Sequence, residues 1–142
     1  MAIEIELVTR GRGASRRRGL RRLVWKRIAA PGLVGVAGST ARTAGVTDGH
    51  MAIAFVDEDE IRSLNREHRG LDRPTDVLSF PVDGTSPVAG PRELGDVVIC
   101  AEHTDDLKEA VVHGVLHLCG YDHEADGGEM LALQDRVMAT LR

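Results

Sequence analysis

Between residues 113 and 123 the chain reads His-Gly-Val-Leu-His-Leu-Cys-Gly-Tyr-Asp-His. His113 and His117 stand four apart, so on a helix their imidazoles leave one face and can reach a single ion. Gly120 marks where that helix stops, because glycine enters the left-handed conformation at little steric cost. His123 follows within the turn and can close a three-nitrogen set. Three neutral imidazoles leave a fourth position for water, the layout of a catalytic rather than a structural zinc site. A water held there has its pKa lowered to ~7, so a nucleophile is available at neutral pH.

The remaining histidines, His50, His68 and His103, have no such spacing and are expected to be solvated or hydrogen-bonded rather than ligands. Cys119 falls on another face of the helix from His117, and Cys100 ends a strand-like run. Both read as small buried hydrophobes. The three-histidine spacing is that of the metzincin proteases, which carry a glutamate directly after the first histidine as general base. Here that position is Gly114. Losing a positioned proton shuttle typically costs ~10²–10⁴-fold, so peptide hydrolysis becomes a minor reading. A phosphodiester instead needs a Lewis acid and a cation for developing charge. Arginine suits the second role because its planar fork binds phosphate oxygens in pairs. Arg69 and Arg73, expected in the loop after an acid-capped helix, are the candidates.

Several elements must position these groups. Residues Leu107 to Cys119 are apolar nearly all round and predict a buried helix, capped by Thr104 with Asp105 and Asp106 on its first turn. An amphipathic helix over Gly128 to Leu141 turns Met130, Leu133, Val137 and Leu141 inward. Ile3 to Val8 alternates as a half-buried strand, and Met51 to Val56 reads as an interior one. Asp57 and Glu60 form a capping box for a helix ending near Arg66 to Arg69, with Gly70 beyond it. Val77–Pro81 and Gly95–Cys100 can pair as a hairpin across a Pro/Gly loop. Pro31 to Gly49, with five glycines, reads as a loop.

The 142 residues are 42% hydrophobic, enough for one core, so residues 1–142 are expected to form a single metallohydrolase domain. Aromatic residues are only 3%, so that core must be aliphatic. Two cysteines make no disulfide framework, and no stretch approaches ~18 apolar residues, which points to a soluble protein of the cytoplasm with no membrane role. The net charge of −4 hides a polarity. Residues 1–42 hold ten basic and two acidic side chains, and the rest hold eight and twenty. Nine of the basic residues lie between Arg10 and Arg27 with no acid among them. Leu20, Leu23, Val24 and Ile28 recur there at helical spacing, predicting an amphipathic basic helix over about 15–30. Such a helix face is either simply solvated or follows a nucleic-acid backbone, bound in a salt-sensitive way; a membrane-surface helix is the weaker third reading, because the apolar stripe is short.

The run Leu64-Asn-Arg-Glu-His-Arg69-Gly-Leu-Asp-Arg-Pro74-Thr-Asp-Val-Leu-Ser-Phe-Pro81, then Gly95-Asp-Val-Val-Ile-Cys100, then the histidine block, resembles the bacterial YbeY family. These are single-strand-specific metallo-endoribonucleases that act in 3′-end maturation of small-subunit (16S) rRNA and in ribosome quality control. The resemblance spans about Met51 to the end. It implies an α+β fold: a small mixed β-sheet of about four strands packed with helices, with the metal site on a buried C-terminal helix and the turn after it. It further implies one zinc ion on His113, His117 and His123, with the family's characteristic arginine at Arg69. The partners implied are single-stranded RNA, rRNA, the small ribosomal subunit and its assembly factors. Asp122 is assigned to orient a histidine ligand. The chain departs from the family where His68 replaces a tyrosine, where 101–110 is shortened, and where 31–49 looks inserted. Two rival readings are a ribosome-assembly binding protein with a mainly structural zinc, and a metal-dependent peptidase or other hydrolase.

Overall fold

Met51 to Val56 is apolar at nearly every position, which suits a strand covered on both faces. The computed structural model, which describes residues 2–9 and 32–141, places it so. Strands β1 (Ile3–Thr9), β2 (Gly49–Phe55), β3 (Val77–Pro81) and β4 (Glu93–Ile99) form one sheet in the order β1-β2-β4-β3. β2 runs parallel to both β1 and β4, and β3 pairs antiparallel with β4, Val77 opposite Ile99 and Pro81 opposite Gly95. The sheet is mixed, four-stranded and packed with helices, so the expected α+β class holds, as does the β3–β4 pairing. The basic helix expected over 15–30 lies outside the described residues.

Among the described residues four α-helices cover the sheet: α1 (Leu33–Thr43), α2 (Glu58–Arg69), α3 (Leu107–Leu118) and α4 (Glu129–Thr140). Met51, Ile53 and Phe55 of β2 and Leu94, Val97 and Ile99 of β4 face a core shared with α1, α3 and α4. Ala54, Val98 and Cys100 point the other way and meet Ile61 of α2 and Leu78 of β3. Among the described residues Phe55 is the one aromatic ring in the buried clusters, in keeping with the aliphatic core that the composition requires.

Three local expectations are corrected. The 31–49 segment is not a loop, because α1 occupies Leu33–Thr43. Leu33, Val36, Ala37, Thr40 and Ala41 are buried, a helical stripe built of small residues that composition disguises. Thr40 donates its hydroxyl to the Val36 carbonyl at 2.7 Å, so its burial leaves no polar group unpaired. The second correction concerns α3, whose cap is Asp106 rather than Thr104. The Asp106 carboxylate accepts the Glu109 N–H at 3.1 Å, while Thr104 donates back to the Cys100 carbonyl at 2.7 Å. That bond fastens a single 3-10 turn, Ala101–His103, in the shortened segment. Third, Arg69 is the last residue of α2, not part of the loop beyond it. The Asp57 cap on the Glu60 N–H (2.9 Å) and the left-handed Gly70 (φ 72°) bound α2 as anticipated.

Candidate metal centre

Gly114 sets the position of α3. A β-carbon there would lie 2.4 Å from Val97 Cγ1, so only glycine lets the helix come this close to β4. His113 and His117 flank that contact and are half-buried. After Leu118 the chain turns through Gly120 at φ 99°. The Gly120 N–H bonds to the His117 carbonyl and the Tyr121 N–H to the Leu116 carbonyl, both at 3.1 Å, the paired bonds of a Schellman ending. The Asp122 carboxylate then accepts the Glu124 N–H at 3.0 Å. Its carbonyl accepts from Ala125 and Asp126. These bonds fold the tight turn that presents His123.

The three imidazoles face one another edge to face, with ring centres 4.9, 4.9 and 5.1 Å apart. One nitrogen from each lies within 4.8 Å of the others. Zinc sits about 2.1 Å from an imidazole nitrogen, so three tetrahedrally placed rings have centres about 5.2 Å apart. The rings therefore stand at metal-binding separation.

On two of the rings a nitrogen is already committed in the way ligands require. His113 Nδ1 bonds to Gln134 Oε1 on α4 at 2.8 Å. His117 Nδ1 donates to the Tyr121 carbonyl at 2.9 Å, which leaves its Nε2 lone pair toward the cluster. His123 Nδ1 is buried and has no hydrogen-bond partner among the described residues. An orphaned buried nitrogen is costly unless something absent completes it. Burial, with the neighbouring His113, lowers the pKa of His117 and favours the neutral form that binds metal. The residues fit a divalent ion of zinc's preferences.

Two clefts, of about 610 and 260 Å³, meet at the histidines. Arg69, His113 and His123 line both, so the last turn of α2 brings Arg69 to their junction. Asp122 lines the smaller cleft, and Arg73 lines neither. Glu124 borders both, and Asp76, Asp105 and Glu109 give the larger cleft an acidic wall. The other histidines are not members of the cluster, although His103 lines the larger cleft and His68 the smaller. His50 bonds to Glu93 at 2.6 Å, His103 bonds to Glu58, and His68 packs on Phe80. Cys100 and Cys119 are buried, and desolvation pushes each thiol up to about 11. Gln134 escaped sequence reasoning, although a polar residue on the inward stripe Met130, Leu133, Val137 was the available signal. Among the described residues no helix is long and apolar enough to cross a membrane.

The family model described as Endoribonuclease YbeY matches residues 34–142. The protein of that name from Halorhodospira halophila is 41% identical over 66% of this chain and 71% of its own length. The one from Persephonella marina is 38% identical over 65% and 70%. A solution structure from Thermotoga maritima aligns with 94% of this chain and 85% of its own, at 28% identity and a TM-score of 0.45.

Proposed function

This chain belongs to the endoribonuclease YbeY family, and from that premise we propose that it is a zinc-dependent, single-strand-specific endoribonuclease. Its substrate in this reading is the 3′ region of small-subunit (16S) rRNA. It acts in maturation and quality control beside the small ribosomal subunit and its assembly factors, in the cytoplasm, with residues 1–142 as one metallohydrolase domain. The observation that carries the reading is the junction of two open clefts at the three histidines, with Arg69 on both. A chain passing through such a junction is cut in its interior.

His113, His117 and His123 would hold the ion. When bound, it supplies Lewis acidity to a phosphoryl oxygen and lowers the pKa of a water molecule. The protein's own groups do the positioning. Gln134 and the Tyr121 carbonyl fix the orientation of two rings, the task that outer partners of metal ligands perform. Arg69 binds a non-bridging phosphate oxygen through its guanidinium fork and offsets charge as it develops. Asp122 acts through the turn it caps, keeping His123 in place, and not by taking a proton.

The two rival readings have less support. Structural zinc sites are closed, whereas these histidines line open clefts. A peptidase with a glutamate at 114 is blocked by the contact between Gly114 and Val97. The test is metal content of the purified protein alongside cleavage of unstructured RNA, with and without chelator. Arg69→Ala should keep its metal yet lose about 10²–10³-fold in rate, as removal of one transition-state donor does. His117→Ala should lose both metal and activity. Full cleavage by both variants refutes the reading.

A further inference from the structure

The smaller cleft contains a feature that the histidine site does not use. His68, on the last turn of α2, is exposed and rests on the half-buried ring of Phe80 in β3. Their centres are 4.6 Å apart and their planes are tilted by 52°. Phe80 lies against the imidazole, and the exposed His68 lines the cleft together with Arg69 and Ser79. We propose that His68, propped by Phe80, is the stacking platform for one nucleobase beside the scissile phosphate, and is the contact through which this protein senses an unpaired base. The proposal rests on the endoribonuclease reading and names the substrate group that the smaller cleft receives.

Three observations carry it. First, the cleft is about 260 Å³, just under the ~300 Å³ at which pockets for drug-sized ligands begin. That volume suits one planar ring and not a base pair. Second, beyond Arg69 the charged groups bordering it are Asp122 and Glu124. No arginine or lysine besides Arg69 lines it, so a second phosphate finds no side-chain cation to pair with, while an uncharged base needs none. Third, the other described aromatic rings are engaged elsewhere: Phe55 is in the core, and Tyr121 packs against it. Single-stranded RNA is recognised by laying unstacked bases on aromatic faces, histidine among them. Arg69 is the neighbour of His68 in sequence, so one helical turn would hold a phosphate and the adjoining base together.

The experiment uses a fluorescein-labelled single-stranded hexaribonucleotide and a set of copies with one abasic ribose at successive positions. Binding is read by anisotropy on the full chain with chelator present, and cleavage is read separately with zinc. Wild type should bind one abasic copy about five- to tenfold more weakly than the intact strand, the low end of what one stacking contact contributes. His68→Ala should lose the same factor on the intact strand and nothing further on that copy. In cleavage the loss should fall mainly on KM, and His68→Tyr should restore both readouts. Unchanged binding by His68→Ala, no abasic penalty in wild type, or a penalty that persists in His68→Ala overturns the proposal. Failure of wild type to cleave refutes the endoribonuclease reading instead, and the binding arms still decide the role of His68.

Discussion

Replacing Gln134 with leucine removes the acceptor behind His113 while keeping a side chain of similar size in its buried place. Helix α4 should stay docked, because Met130, Leu133 and Val137 anchor it. A metal ion on His113 Nε2 would require its Nδ1 to carry a proton, and Gln134 Oε1 is the partner of that Nδ1 at 2.8 Å. Leaving a buried donor unpaired costs about 1–3 kcal/mol, a factor of roughly 5–150 in a dissociation constant. That range contains the 10–100-fold typical when a partner of a metal ligand is removed. Gln134→Leu should therefore bind zinc about 10–100-fold more weakly, measured by competition with a chromophoric chelator at constant neutral pH. Gln134→Glu should bind at least as tightly as wild type, since a carboxylate is the stronger acceptor. A folded Gln134→Leu protein with wild-type zinc affinity would reduce Gln134 to a space-filling residue and refute the reasoning.

The pKa of His50 is raised, chiefly by Glu93 with Glu6 adding, so its stabilisation is fully present below the ordinary histidine value of ~6.5 and fades as pH rises through the raised folded value. The Tm difference between wild type and His50→Gln should accordingly be larger near pH 6 than near pH 8.5. Gly114→Ala places a methyl 2.4 Å from Val97 Cγ1. Overpacking of about 1–3 kcal/mol should outweigh the ~1 kcal/mol gained in helix propensity, giving a lower urea midpoint that Val97→Ala partly restores. Asp57→Ala should cost about 0.5–2 kcal/mol in the same assay through loss of the α2 cap.

Features set by neighbouring residues were legible in the sequence. Asp57, Glu60 and Gly70 delimit α2, Gly120 ends α3, and the alternation of β1 shows its half-buried face. The spacing of His113, His117 and His123 anticipates their convergence because helix and turn geometry are local. What depends on distant partners was hidden. Nothing near Leu33 says that α3 lies against α1, so a stripe of alanine, glycine and threonine passed for a loop. The placement of β2 between two parallel neighbours is set by packing on both faces, which pattern alone does not rank. Thr104 and Asp106 are both good caps by type. The 3-10 turn engages the first and leaves the second for α3.

The close seating of Gly114 on Val97 also bears on the thermodynamics of metal uptake. Two of the three histidines grow from a helix whose backbone is already fixed against the sheet, and the third from a turn closed by three hydrogen bonds of its own. A site organised in advance has little left to fold when the ion arrives. Small zinc domains behave oppositely, since their binding energy is folding energy and each uptake buries fresh apolar surface. Calorimetric titration of zinc into this protein over a range of temperatures should thus give a heat-capacity change near zero, the signature of an ion entering a rigid socket.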